Sequence, residues 1–212
     1  MTTVIFVRHG QSECNLEHRF AGQIDAKLTD LGRTQAENVV KALQAYPITR
    51  IYASPLSRAI DTARPTAKAL GLEIIPEPGI LEISAGEWEG LTFDEIEKRY
   101  PEEFDHLKGD RSLLQLPGGE SMRNLYDRVL ACVDRLVKEN RGECLALFGH
   151  AMPLRSMLCY WQNIPFSEIG NIPSGPNASI TVVEYDDDGR FRLVKKADTA
   201  HLQTPTSLPM GL

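Results

Sequence analysis

Near its N-terminus the chain reads Phe6-Val7-Arg8-His9-Gly10-Gln11, an apolar run that stops on an arginine, an imidazole and a glycine. A guanidinium presents a rigid fork of donors that matches phosphate or carboxylate. An imidazole with one free lone pair can act as a nucleophile and needs no metal to do so. Glycine lets the backbone turn close to a bound group. The three together read as an anion site that contains its own nucleophile. Similar mixtures follow at Ser54-Pro55-Leu56-Ser57-Arg58, at Glu82 within Leu81-Glu82-Ile83-Ser84-Ala85-Gly86-Glu87-Trp88-Glu89-Gly90, and at Gly149-His150-Ala151. Arg58 falls in the first turn of a predicted helix, where the helix dipole disfavours a cation. A shared anion at that helix N-terminus accounts for its placement.

The elements that must position these groups can be read from periodicity. Val4-Ile5-Phe6-Val7 predicts a strand over 3–8, Ile51-Tyr52-Ala53 a second, and Glu73-Ile74-Ile75 a third. Cys144-Leu145-Ala146-Leu147-Phe148 is apolar throughout, as a central strand buried on both faces should be. Thr29 can cap a helix over about 30–46. Ser54-Pro55 opens another, with Leu56, Ala59, Ile60 and Ala63 inward, which Pro65 should kink or interrupt. A short helix over 93–100 ends at Pro101, residues 108–119 read as loop, and a long helix runs to about Glu139. Pro153 opens one more, and 179–185 with 190–195 alternate around Asp187-Asp188-Gly189 as an antiparallel hairpin at the sheet edge. Strands alternating with helices predict one α/β domain over 1–212, a three-layer α/β/α sandwich with a mostly parallel sheet. Its last residues, 204–212, read as a loose tail. In such a sheet ligands bind at the carboxyl ends of the strands, and three of the four chemical segments lie there.

In this order the segments closely resemble the histidine phosphatase superfamily, the phosphoglycerate-mutase-like family. Its R-H-G-x-[ST]-x-x-N pattern is matched by Arg8-His9-Gly10-Gln11-Ser12-Glu13-Cys14-Asn15. The S-P-L-x-R-A-x-x-T-A pattern is matched by residues 54–63, E-x-x-x-G-x-W-E-G by 82–90, and H-x-x-x-x-R by His150–Arg155. The resemblance extends from residue 3 to about residue 200. It implies that His9 takes the phosphoryl group, and that Arg8, Arg58 and His150 surround its oxygens. Asn15 would add a donor, Ala151 would border the phosphate, and Glu82 would be the general acid and then the base. Burial beside Trp88 would raise the pKa of Glu82 to suit that work. The same resemblance implies no cofactor and no metal.

Composition supports this reading by exclusion. Net charge is −6 with no basic run, so no nucleic-acid footprint is present. Cys14, Cys132, Cys144 and Cys159 are widely spaced and read as reduced, buried residues of a cytoplasmic protein. No signal peptide or bilayer-spanning run is apparent, and no membrane partner is expected. Ser12 lacks the second glycine of a serine-hydrolase elbow, since Cys14 stands there. His18, His106 and His201 have no partner pattern and read as structural or exposed; Trp88 and Trp161 read as packing residues.

Two departures bear on substrate. Many family phosphatases carry glutamine before the glycine at 22, where this chain has Ala21. Some phosphoserine-specific relatives carry histidine before the glycine of the acid motif, where this chain has Ala85. Lys98-Arg99, Lys108 and Arg111 are mixed with acids and read as a solvated face. The expectation is a phosphomonoester hydrolase acting on a small phosphorylated metabolite. A mutase of phosphoglycerate type and a silent phosphate-binding regulator are the rivals, and the sequence leaves open whether the chain forms a homodimer.

Overall fold

The computed structural model of the protein describes residues 1–202. The tail expected over 204–212 lies outside the described residues. The elements in chain order are β1 (Thr2–Arg8), α1 (Glu13–Leu16), α2 (Asp30–Leu43), β2 (Arg50–Ala53), α3 (Ser57–Leu70) and β3 (Ile74–Pro76). Then follow α4 (Phe93–Arg99), α5 (Pro101–Lys108), α6 (Met122–Glu139), β4 (Cys144–Gly149), α7 (Ala151–Trp161), β5 (Ile180–Tyr185) and β6 (Phe191–Asp198).

The strands form one sheet in the order β3-β2-β4-β1-β5-β6. β3, β2, β4 and β1 are mutually parallel, whereas β5 runs antiparallel to both β1 and β6. The apolar strand β4 is central and wholly buried, as its composition requires. Alternate residues serve opposite layers. Val4, Phe6, Leu145 and Leu147 pack with α6 and α7, while Ile5, Val7, Ala146 and Phe148 pack with α2 and α3. This is the three-layer sandwich expected from the alternation. All four cysteines are free and buried. Among the described residues no helix is long and apolar enough to cross a membrane.

Several boundaries differ from expectation. α2 ends at Leu43 rather than near 46. α3 begins at Ser57 with Leu56 as its cap, so Pro55 precedes the helix instead of opening it. Pro65 does not interrupt α3, because Ala59, Ala63 and Ala67 are anchored in the core on either side of it. Pro101 ends α4 but also starts α5, where a missing N–H costs nothing. Within the stretch expected as loop, Arg111–Leu113 makes a 3₁₀ turn and Leu114 and Leu116 enter the core. Arg111 itself is buried rather than solvated, its Nε donating to the Leu107 carbonyl at 2.6 Å.

The turn after β1 is set by two glycines pressed together. A Cβ on Gly10 would lie 2.5 Å from the Gly32 oxygen, and one on Gly32 would lie 2.0 Å from the Gln11 oxygen. α2 therefore packs its backbone directly against the loop that leaves β1. Gly32→Ala is expected to cost about 1–3 kcal/mol through overpacking and to lower activity by displacing residues 9–11. Thr34→Ala, exposed on the same helix, should change stability by no more than about 0.5 kcal/mol. Equilibrium urea unfolding of both variants checks the contrast.

Candidate active site

The carboxyl ends of β1, β2 and β4 are stitched together by backbone hydrogen bonds. His9 N donates to Gly149 O, and Ser54 N donates to Phe148 O, both at 2.9 Å. These bonds bring Arg8, His9, Ser54 and His150 to one place, and a cleft opens beside them. Arg8, His9, Asn15, Arg58, Glu82 and Ala151 all line it. His150 lies just behind its wall, fully buried, its ring 5.2 Å from that of His9 and edge-on to it. All seven residues expected from the sequence are thus drawn together.

The His9 ring is oriented by its own neighbour. Nδ1 lies 2.6 Å from the Gly10 carbonyl, which can only accept, so Nδ1 carries the proton and Nε2 keeps its lone pair. Burial, and then the nearby Arg58 and Arg8 charges, hold the pKa of His9 well below the usual imidazole value. His150 is held neutral by the same causes, burial first. Its Nε2 lies 2.7 Å from Ser54 Oγ. Its Nδ1 is buried and has no hydrogen-bond partner among the described residues.

Backbone oxygens fix the two guanidinium groups. Arg58 donates from Nη1 to Ile24 O at 2.6 Å and from Nη2 to Gly22 O at 2.8 Å. Arg8 donates to Ser174 Oγ and Gly175 O. Desolvation pushes the Arg8 pKa down to about 10, opposed by Glu82, and lowers that of Arg58 as well. Both remain charged at neutral pH. Glu82 sits 8% exposed. Its Oε1 accepts from Ile83 N at 2.9 Å and its Oε2 from Met152 N at 3.5 Å. Burial nevertheless raises its pKa, outweighing these bonds and both arginines. The expected direction is therefore present, and burial is its leading cause. Trp88 itself is buried against Phe20, with ring centroids 5.5 Å apart.

Asn15 caps the loop as much as it faces the cleft. Its Oδ1 accepts from Ser12 N at 3.1 Å and from Asn177 Nδ2 at 3.0 Å, leaving the amide nitrogen on the cleft side of the cap. Arg155 is buried on α7 and donates to Gly170 O in the 166–171 turn at 3.3 Å. Among the described residues no group of three or more His, Cys, Asp or Glu side chains is arranged to hold a metal ion.

Four residues went unread in the sequence. Ser54 reaches His150. Thr62 accepts from Gly10 N at 3.0 Å. Asn177, from the loop before β5, donates to His9 O at 3.1 Å. His18 is exposed as expected but lines the cleft mouth, in left-handed backbone at φ 54°. The S-P-L-x-R-A-x-x-T-A pattern contains both Ser54 and Thr62 without giving their roles, and Asn177 is brought in by a long-range contact.

A model of the histidine phosphatase superfamily (branch 1) matches residues 4–199. The chain is 32% identical over 202 residues to phosphoserine phosphatase 1 of Hydrogenobacter thermophilus, covering 95% of each chain. It is 30% identical over 211 residues to phosphoglycerate mutase-like protein 4 of Arabidopsis thaliana, covering 98% of this chain and 90% of that one. Among solved structures, Bacillus stearothermophilus YhfR aligns with a TM-score of 0.90 at 30% identity, over 95% of this chain and 99% of that chain. By sequence and by fold, then, the chain belongs to the histidine phosphatase superfamily.

Proposed function

We propose that this chain is a metal-independent phosphomonoester hydrolase that acts on a small phosphorylated metabolite through a phosphohistidine at His9. The observation that carries the reading is a neutral imidazole, its Nδ1 proton pinned to Gly10 O, held beside two buried guanidinium groups. A phosphoryl dianion matches the donor forks and positive charge of such a site.

The reaction then runs in two displacements. His9 Nε2 forms a bond to phosphorus as the bond to the ester oxygen breaks, and protonated Glu82 delivers its proton to the departing oxygen. Arg8, Arg58 and a donor N–H of His150 take up the charge spread over the equatorial oxygens. Ser54 positions that donor: a hydroxyl that donates to Nε2 leaves the proton of His150 on Nδ1. Asn15 and the start of α7 at Ala151 border the phosphoryl group. In the second step water attacks phosphorus, its proton passes to the Glu82 carboxylate, and phosphate leaves with Nε2 restored.

Water is favoured as acceptor over a second hydroxyl. A mutase must shield its phosphoenzyme with a lid and grip a substrate carboxylate. Here residues 83–149 fold into α4, α5, α6 and β4 with the turns between them, and Phe104, Leu107, Leu114 and Leu116 are committed to the core. Arg99 is exposed beside Glu95 at 4.0 Å, and Arg111 is buried under α5, so the two form no clamp.

Rapid alkaline quenching with labelled substrate should trap base-stable, acid-labile label on His9. His9→Ala should show neither label nor turnover, and label on Ser12 would refute the mechanism.

Glu82 is raised above the ordinary carboxyl range, so it stays protonated to higher pH and loses its proton as pH climbs through that raised value. The rate of phosphoenzyme formation from an alkyl phosphate should fall on that alkaline limb. Glu82→Gln should lower it by about 10²–10⁴-fold and remove the limb. A nitrophenyl ester, whose leaving group needs no proton, should lose far less. Equal losses for the two esters in single-turnover measurements would exclude Glu82 as the acid.

Ser54→Ala should lower kcat about tenfold to a hundredfold, the scale of a small misplacement, while KM changes little. Ser54→Thr, which keeps the hydroxyl, should recover part of that loss. Steady-state kinetics on one ester separates these outcomes from simple unfolding.

A further inference from the structure

With a phosphoryl group among Arg8, His9, Arg58 and His150, the alcohol esterified to it must extend outward past Glu82. The wall it meets is carbon. Phe20, Ala21, Phe93 and Met152 line that side of the cleft. The Phe20 and Phe93 rings stand 6.2 Å apart at 69°, and Phe20 rests edge-on against the fully buried Trp88. Backbone pairing joins the two halves of the wall, Phe20 N donating to Leu91 O at 2.9 Å and Arg19 bridging to Thr92. The surface is therefore a fixed aromatic face rather than a mobile fringe.

Charge at the mouth points the same way. Among the described residues lining the cleft, the arginines are Arg8, Arg58 and Arg19. The first two serve the phosphoryl end. Arg19 is already matched: its Nε donates to Glu17 at 2.9 Å, its Nη1 donates to Gly90 O at 2.8 Å, and Glu95 lies 3.8 Å away. The His18 ring makes no hydrogen bond among the described residues, its backbone N–H donating to Asn15 O, and the ring offers one polar contact at the rim. A carboxylate carried by the leaving group would shed water against this wall, with no unmatched guanidinium among the described residues lining it. An uncharged alcohol with an apolar body would instead bury its surface on Phe20, Phe93 and Met152.

We infer that this site takes phosphomonoesters of uncharged, largely apolar alcohols in preference to those of amino acids or hydroxy acids. The inference rests on the phosphomonoesterase reading above.

Phosphate release from benzyl phosphate, phosphoserine and 3-phosphoglycerate, ranked by kcat/KM, tests it. Benzyl alcohol is no better a leaving group than the serine hydroxyl, so the chemistry alone gives benzyl phosphate no advantage. Its kcat/KM should exceed that of each carboxylate ester by roughly tenfold or more, the scale on which a shaped pocket discriminates. Phe93→Arg, which sets a cation in the wall, should narrow that ratio by improving the carboxylate esters. A wild-type preference for phosphoserine or 3-phosphoglycerate overturns the inference whether or not the variant folds. Such a preference, abolished by His18→Ala, would show that His18 reads the carboxylate. Phosphate release from none of the three, nor from p-nitrophenyl phosphate, would instead bring down the phosphatase reading and this inference with it.

Discussion

The hydrogen bond between His9 Nδ1 and the Gly10 carbonyl sets the terms for everything around it. It requires the chain to turn back on itself within one residue, and that turn exists only because Gly10 and Gly32 meet with no side chain between them. The turned backbone is then held from three directions. Thr62 on α3 takes the Gly10 N–H, Gln35 on α2 takes the Gln11 N–H, and Asn177 donates to the His9 carbonyl. One imidazole orientation is thus the joint product of two helices and a distant loop. A nucleophile aimed this way spends little free energy on reorganisation when substrate arrives.

Charge balance is the second constraint. Arg8 and Arg58 are almost completely buried, and among the described residues they donate to the oxygens of Ser174, Gly175, Ile24 and Gly22. Buried cations of this kind are costly unless compensated. Burial first, and the field of these arginines after it, holds both imidazoles neutral, the state in which His9 can attack. Glu82 answers to the same surroundings in the opposite sense, because desolvation keeps its proton on in spite of the arginines. Base, acid and anion clamp are therefore set by one dry, positively biased pocket rather than by separate devices.

How much of this could be read beforehand depends on the range of the interactions. β1, β4 and α6 announce themselves because each carries a strong local pattern, and Arg8, His9, Arg58 and His150 follow because strand ends are where ligands gather. Pro101 misled because a residue that stops one helix is equally suited to start the next. Arg111 looked solvated among its acidic neighbours, and only the packing of α5 over it shows otherwise. Asn177 had no local signal, since it meets His9 across 168 positions, whereas Thr62 stands in the 54–63 pattern but its hold on Gly10, 52 positions away, shows only in the fold. His18 was set aside for lack of partners, and that same lack leaves it free at the cleft mouth.

Arg58 grips Gly22 and Ile24 by their main-chain oxygens, and Arg8 grips Gly175 in the same manner. A carbonyl belongs to the main chain, so the hold passes through no side chain, although Gly22 and Gly175 themselves sit at positive φ where a Cβ would clash. The loops that carry these oxygens can therefore exchange most of their side chains without disturbing where either positive charge stands. Ala21 flanks one such oxygen and lines the cleft, so a substitution there alters what the cleft admits while leaving phosphate chemistry in place. A lineage built on this arrangement can wander from one phosphorylated compound to another by small steps, each of them still an active enzyme.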